Sequence, residues 1–163
     1  MLSGRIEIES IENQFTRVSL TFPASEVAEQ TTVERVKTDL TLADRHLLII
    51  DDDTAVREAT RILFEGIGCK VSVAANTADA VAHVQQSTPD IALVDLRLPA
   101  GESGLTTITK MRELVPQLPV IIVSGESSPT VLKSLKLSGH PYLSKPIDKA
   151  ELIEEISALL TTS

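Results

Sequence analysis

Four short apolar runs in this chain each end at, or just before, a polar side chain able to do chemistry. Leu47-Leu48-Ile49-Ile50 runs into Asp51-Asp52-Asp53, Ile91-Ala92-Leu93-Val94 into Asp95, Val120-Ile121-Ile122-Val123 into Ser124, and Tyr142-Leu143-Ser144 reaches Lys145-Pro146. Clustered carboxylates suit a hard cation. Mg²⁺ fits best, because it takes few protein ligands and keeps waters that a phosphate can replace. A lysine nearby supplies a point charge for a phosphoryl oxygen, and a serine hydroxyl can donate to another. A central aspartate can itself be the nucleophile. Phosphoryl transfer asks mainly for positioning and charge neutralisation. The set therefore reads as a metal-and-phosphoryl site.

The runs must be held together by the elements that carry them. Short Val/Ile/Leu runs between helical patterns read as strands of a buried parallel sheet, and such sheets bind ligands outside the carboxyl ends of their strands. A first helix is expected from Thr54 to Phe64, carrying Val56, Ile62, Leu63 and Phe64 and stopped by Gly66 and Gly68. Lys70-Val71-Ser72-Val73 adds a strand, and Asn76 is the expected N-cap of a helix through Val84. A loop from Leu98 to Gly104 leads to a helix ending at Leu114. Ser127-Ser128-Pro129 opens the next, which Gly139-His140-Pro141 closes. The last runs from Lys149 to Leu160, with Leu152, Ile153, Ile156, Leu159 and Leu160 on one face. Five strands alternating with five helices predict an α/β fold with a doubly wound five-stranded parallel sheet. Short right-handed connections point to the flavodoxin-like order 2-1-3-4-5. Its switch point lies beside strands one and three, where Asp51, Asp52 and Asp95 fall.

Residues 1–45 follow a different pattern. Ile6 and Ile8 alternate with Arg5, Glu7 and Glu9, and Val18, Leu20 and Phe22 alternate with Arg17, Ser19 and Thr21. With Glu12-Asn13-Gln14 between them and Pro23 after them, residues 1–23 predict a β-hairpin appendage. Residues 24–45 are polar and read as a linker, leaving 46–163 as the main domain. A lone hairpin is marginal in water and offers unpaired edges, so pairing with another copy is expected, giving a homodimer through the hairpin.

Composition narrows the function further. The chain has 163 residues, 42% of them hydrophobic and 23% charged, ordinary for a globular protein. A net charge of −8 argues against nucleic acid, which needs a basic footprint. An aromatic content of 2% leaves few platforms for stacking bases or a flavin. No apolar run is long enough for a bilayer and no signal-peptide pattern opens the chain, so a cytoplasmic protein without a membrane partner is expected. Cys69 is the single cysteine, and within an apolar strand it reads as core filler.

Taken in order and spacing, four pieces resemble the receiver domain of two-component response regulators. They are Ile49-Ile50-Asp51-Asp52, Leu93-Val94-Asp95-Leu96-Arg97-Leu98-Pro99, Val123-Ser124-Gly125 and Tyr142-Leu143-Ser144-Lys145-Pro146, and the resemblance spans residues 46–161. It implies that Asp95 accepts a phosphoryl group from the phosphohistidine of a histidine kinase or histidine phosphotransfer protein. Asp52 and Asp95 would bind Mg²⁺ directly, Asp51 through water, and Arg97 through its backbone carbonyl. Lys145 would pair with the phosphate, Ser124 and Tyr142 would switch the surface, and Arg97 and Glu126 would tune the phosphoryl lifetime. The loop after Pro99 departs from the usual Gly-Met-Asp-Gly: here it is Ala100-Gly101-Glu102-Ser103-Gly104, one residue longer. Asp53 also extends the acidic pair; register against Ile50 favours Asp51 and Asp52 as the ligands. The segments Gly4 to Ser10 and Phe15 to Pro23 are similar to the terminal hairpin of histidine-kinase ATPase domains. That implies a hybrid histidine kinase as the parent, although this chain carries no ATP-binding element and is no kinase by itself.

Blander and rival readings bear on the same residues. The acidic triplet could be a solvated helix start, Ser124 a turn residue, Lys145 a surface lysine and Tyr142 simple packing; their weight comes from the set. His46, His83 and His140 have no ligand spacing. A haloacid-dehalogenase-type phosphatase also uses an aspartate after its first strand, but it expects a later acidic pair on a strand, and here Asp148, Glu151, Glu154 and Glu155 fall on the final helix. That reading leaves Asp95 without a role. A receiver-like scaffold that works without phosphorylation would not need Asp51, Asp52, Asp95, Ser124 and Lys145 intact.

Overall fold

The computed structural model describes residues 5–11, 15–21, 42–126 and 128–161. The chain divides into two units, 1–34 and 35–163. In the first, β1 (Arg5–Ile11) pairs antiparallel with β2 (Phe15–Thr21), in a register that sets Ile6 against Leu20 and Ile8 against Val18. The expected turn at 12–14, Phe22, Pro23 and the linker through residue 41 lie outside the described residues, as does Ser127.

The second unit contains the doubly wound sheet. Its strands are β3 (His46–Ile50), β4 (Lys70–Ala74), β5 (Ile91–Asp95), β6 (Val120–Ser124) and β7 (Tyr142–Ser144). They pair in parallel in the order β4-β3-β5-β6-β7, which is the 2-1-3-4-5 order the sequence predicts. The helices are α1 (Thr54–Glu65), α2 (Thr77–Gln86), α3 (Gly104–Leu114), α4 (Pro129–Ser138) and α5 (Lys149–Thr161). Their starts follow local chemistry. The Asp53, Asn76, Ser103 and Ser128 side chains each accept a backbone N–H of the following first turn, satisfying donors that a helix leaves orphaned.

Because strand side chains alternate, each strand feeds two cores. Leu48, Ile50, Ala92, Val94, Val120 and Ile122 pack under α2, α3 and α4 with Ala80, Val84, Ile108, Met111 and Leu135. Leu47, Ile49, Ile91, Leu93, Ile121 and Leu143 pack under α1 and α5 with Phe64, Leu152, Ile153 and Ile156. Leu42 is fully buried in this second core and its carbonyl accepts the Cys69 thiol, so packing begins ahead of His46, within the stretch read as linker. Ile62 departs from the expected apolar pattern of α1 and is 63% exposed. Two residues before Phe64 is about 200° around a helix, so with Phe64 inward Ile62 must face out.

Candidate functional site

Register brings the polar residues together. Ile50 pairs with Val94, so the next residues, Asp51 and Asp95, leave neighbouring strands at the same level. Alternation then sorts the set onto two faces. Asp51, Asp95 and Lys145 continue the series 47-49-51, 91-93-95 and 143-145 over the α1/α5 core. Ser124 continues 120-122-124 and Tyr142 packs on the opposite core, under α2 to α4. Tyr142 pairs with Ile122, two residues before Ser124. The Lys145 amide donates to the Ser124 carbonyl at 2.8 Å, and the Lys145-Pro146 bond is cis.

The Lys145 ammonium spans the gap between strands, 2.6 Å from Asp95 Oδ2 and 2.7 Å from Asp51 Oδ2. Asp51 and Asp95 are buried while Asp52 is exposed, yet one carboxylate oxygen from each of the three lies within 4.8 Å of the others. Asp53 is not part of this group. It is the α1 N-cap, accepting from the Ala55 and Val56 amides at 2.8 and 3.2 Å. The helix-start reading thus holds for the third aspartate of the triplet only.

Electrostatics follow from this packing. Burial raises the Asp95 carboxyl above the usual carboxylate range, against the Lys145 hydrogen bond, the Arg97 amide on Oδ1 at 3.1 Å and the Lys145 charge. The neighbouring Asp51 charge pushes it up further. For Lys145 burial favours the neutral amine, but hydrogen bonds to Asp51 and Asp95, and their charges, outweigh it and raise the lysine. The site thus holds a fixed cation against two carboxylates that repel one another.

Around this centre, buried Ser124 accepts the Glu126 amide at 3.0 Å through its hydroxyl oxygen. The Arg97 guanidinium, mostly exposed, forms an ion pair with Glu126, joining the loop after β5 to the loop after β6. Beside that pair an open groove of about 580 Å³ runs between the β5–α3 loop and α4, floored by Leu96, Leu98, Leu105, Val131 and Leu135. The acidic cluster does not line it. His46 is bonded to Ser72 through Nε2 and to Asp90 through its amide, a structural role.

Three residues at the site carry weight that the sequence reading did not give them. Arg57 donates through Nη1 to the Asp51 carbonyl and through Nη2 to Thr54, tying α1 to the acidic loop. Its place one helical turn after Asp53 was the available signal. Glu102 bonds to Thr77 across the top of α2. Gly104 presses against the Asp95 main chain, where a Cβ would lie 2.3 Å from the Asp95 carbonyl oxygen. A glycine directly after the N-cap Ser103 was its only trace.

Comparison with known proteins agrees with this fold. The family model described as "Response regulator receiver domain" matches residues 47–157. The transcriptional regulatory protein ZraR of Salmonella typhimurium is 32% identical over 115 residues, 70% of this chain and 26% of that protein. The photosynthetic apparatus regulatory protein RegA of Rhodobacter capsulatus is 31% identical over 117 residues, 71% of this chain and 63% of its own length. The matched stretch thus spans between about a quarter and just under two thirds of these relatives. Among solved structures, a CheY-like receiver domain protein of Methanospirillum hungatei superposes with a TM-score of 0.66 at 30% identity, covering 74% of this chain and 96% of its own. A response regulator of Chloroflexus aurantiacus gives 0.66 at 28%, covering 72% and 98%. Among the described residues no helix is long and apolar enough to cross a membrane.

Proposed function

Since the chain belongs to the response regulator receiver family, we propose that it takes a phosphoryl group onto Asp95 in a Mg²⁺-dependent step. The observation that carries this reading is the Lys145 bridge, which holds Asp95 and Asp51 against one ammonium with Asp52 alongside. Three carboxylate oxygens within 4.8 Å of one another fit a hard divalent cation. Asp52, Asp95 and the Arg97 carbonyl would hold Mg²⁺ directly and Asp51 through water. Bound there, the ion would offset phosphoryl and carboxylate charge. An Asp95 carboxylate oxygen forms the new bond to phosphorus as the phosphorus–nitrogen bond of a phosphohistidine breaks, and the electron pair leaves with the imidazole. Lys145 follows the charge from the carboxylate to the transferred group.

The two-faced arrangement supports a switch. Ser124 and Tyr142 face the α2–α4 side, so a Ser124 hydroxyl drawn toward a phosphoryl oxygen vacates space that Tyr142 can enter. Arg97 and Glu126 would set how easily water reaches the acyl phosphate. The donor is a histidine kinase or histidine phosphotransfer protein, and the setting is cytoplasmic. The β1–β2 pair supports a hybrid histidine kinase as parent and pairing of two copies through the hairpin; a purely monomeric concentration series in analytical ultracentrifugation would end the second idea.

A small-molecule phosphodonor with Mg²⁺ should label the chain, and Asp95→Asn should abolish labelling. Full labelling of that variant overturns the assignment. Labelling that survives Asp95→Asn but is lost in Asp51→Asn would favour the phosphatase, a reading weakened because Asp148 caps α5 through the Ala150 and Glu151 amides, while Glu151 and Glu154 are exposed.

A further inference from the structure

We propose that Glu102 is a positioning residue whose carboxylate latches the loop after Asp95 onto the N-terminus of α2, holding Arg97 in place beside the acidic cluster. The inference rests on the phosphoacceptor reading and extends it to a residue outside the cluster. The loop makes its own shape through internal bonds. Leu98 donates to the Glu102 carbonyl at 3.1 Å, Glu102 to that of Pro99 at 3.2 Å, and Gly104 to that of Leu96 at 2.8 Å, with Arg97 bridged to Ser103. None of these fixes the loop against α2. The Glu102 side chain does, accepting the Thr77 amide at 3.1 Å and the Thr77 hydroxyl in a shorter bond.

Proton bookkeeping gives the latch a direction. The Thr77 hydroxyl has one hydrogen and gives it to the carboxylate, so its contact with Thr107 Oγ1 at 2.7 Å is donated by Thr107, whose alternative acceptor, the Ser103 carbonyl, is farther off at 3.4 Å. A chain of hydroxyls from α3 through α2 thus ends on the loop carboxylate, each bond polarising the next. Thr77 and Thr107 are both buried. Removing the acceptor strands a helix-start amide and a hydroxyl away from water. The Thr77 bonds also hold the Glu102 carboxyl below its usual range, keeping it an anion. The consequence reaches the site because Arg97 pairs with Ser103, the residue next to Glu102. Mg²⁺ requires ligands at about 2.0–2.1 Å in near-ideal geometry, so a slip of a fraction of an ångström at the Arg97 carbonyl weakens binding.

The test titrates Mg²⁺ alone into the ¹⁵N-labelled full chain and follows backbone amide shifts in wild type, Glu102→Ala, Glu102→Gln and Thr77→Val. Glu102→Ala should raise the half-saturating Mg²⁺ concentration about tenfold, the low end for groups that orient metal ligands, and should speed hydrogen exchange at the Thr77 amide. Glutamine keeps an acceptor oxygen, so Glu102→Gln should stay near wild type; Thr77→Val should fall between. If Glu102→Ala loses its fold, the other two variants carry the test. An unchanged titration for Glu102→Ala, or for a Thr77→Val that remains folded, overturns the latch, as does a Glu102→Gln weakened as much as the alanine, which would leave only a long-range charge effect. Phosphodonor labelling of the same samples separates the two ideas. A wild type that is not labelled overturns the phosphoacceptor reading, whereas labelled wild type with unchanged Mg²⁺ titrations across the variants overturns the latch alone.

Discussion

Gly104 opens α3 directly against the main chain of Asp95. A Cβ at that position would lie 2.3 Å from the Asp95 carbonyl oxygen and 3.1 Å from the Leu96 Cα. The obstacle is backbone on both counts, so no side chain can rotate away to make room. The same approach lets the Gly104 amide donate to the Leu96 carbonyl at 2.8 Å, which anchors the helix start to the strand end that carries the proposed phosphoacceptor.

Gly104→Ala should therefore destabilise the fold by about 2–3 kcal/mol, the upper range for forcing extra atoms into a packed site. Urea unfolding read by circular dichroism measures it. A midpoint unchanged from wild type would mean that the α3 start can shift without cost.

Burial raises the Asp95 carboxyl, so the folded state keeps that proton to higher pH than the unfolded chain does. The stability it contributes is complete below the ordinary carboxylate range and is lost as pH rises through the raised folded value. Asp95→Asn removes this loss, because asparagine never ionises. In chelator, the variant should gain on wild type as pH climbs through and above that range and match it in acid. Urea midpoints across a pH series check this; an advantage constant with pH would contradict it.

The sheet order was legible because β3, β5 and β6 are short runs rich in Val, Ile and Leu, and because Asp51, Asp95, Ser124 and Lys145 recur at strand ends. Caps were legible where one side chain does the work, as at Asn76. Long-range partners were less so. Nothing local to Glu102 names Thr77, which is 25 residues away in the chain. Ile62 is apolar in type but its angle from Phe64 turns it outward, and Leu42 is a core residue set in a polar stretch. Ala100 takes φ 59° in a loop one residue longer than usual, a left-handed conformation that an alanine gives no reason to expect.

Lys145 is the only cation bonded to the Asp51 and Asp95 carboxylates among the described residues. Replacing it with methionine leaves two buried carboxylates facing each other, a change that costs about 3–5 kcal/mol when the pair is fully buried. Lys145 is 27% exposed, so water recovers part of the cost and about 2–3 kcal/mol is expected in chelator. Mg²⁺ should then return more stability to Lys145→Met than it adds to wild type, because the ion becomes the sole counter-charge. It should add little to Asp52→Ala, which lacks a proposed direct ligand. For wild type the gain is about 2.7 kcal/mol when Mg²⁺ exceeds its dissociation constant a hundredfold. Thermal melts of the three proteins with Mg²⁺ and with chelator decide it. Equal Mg²⁺ increments in wild type and Lys145→Met would mean that the ion does not meet the two carboxylates that Lys145 now bridges.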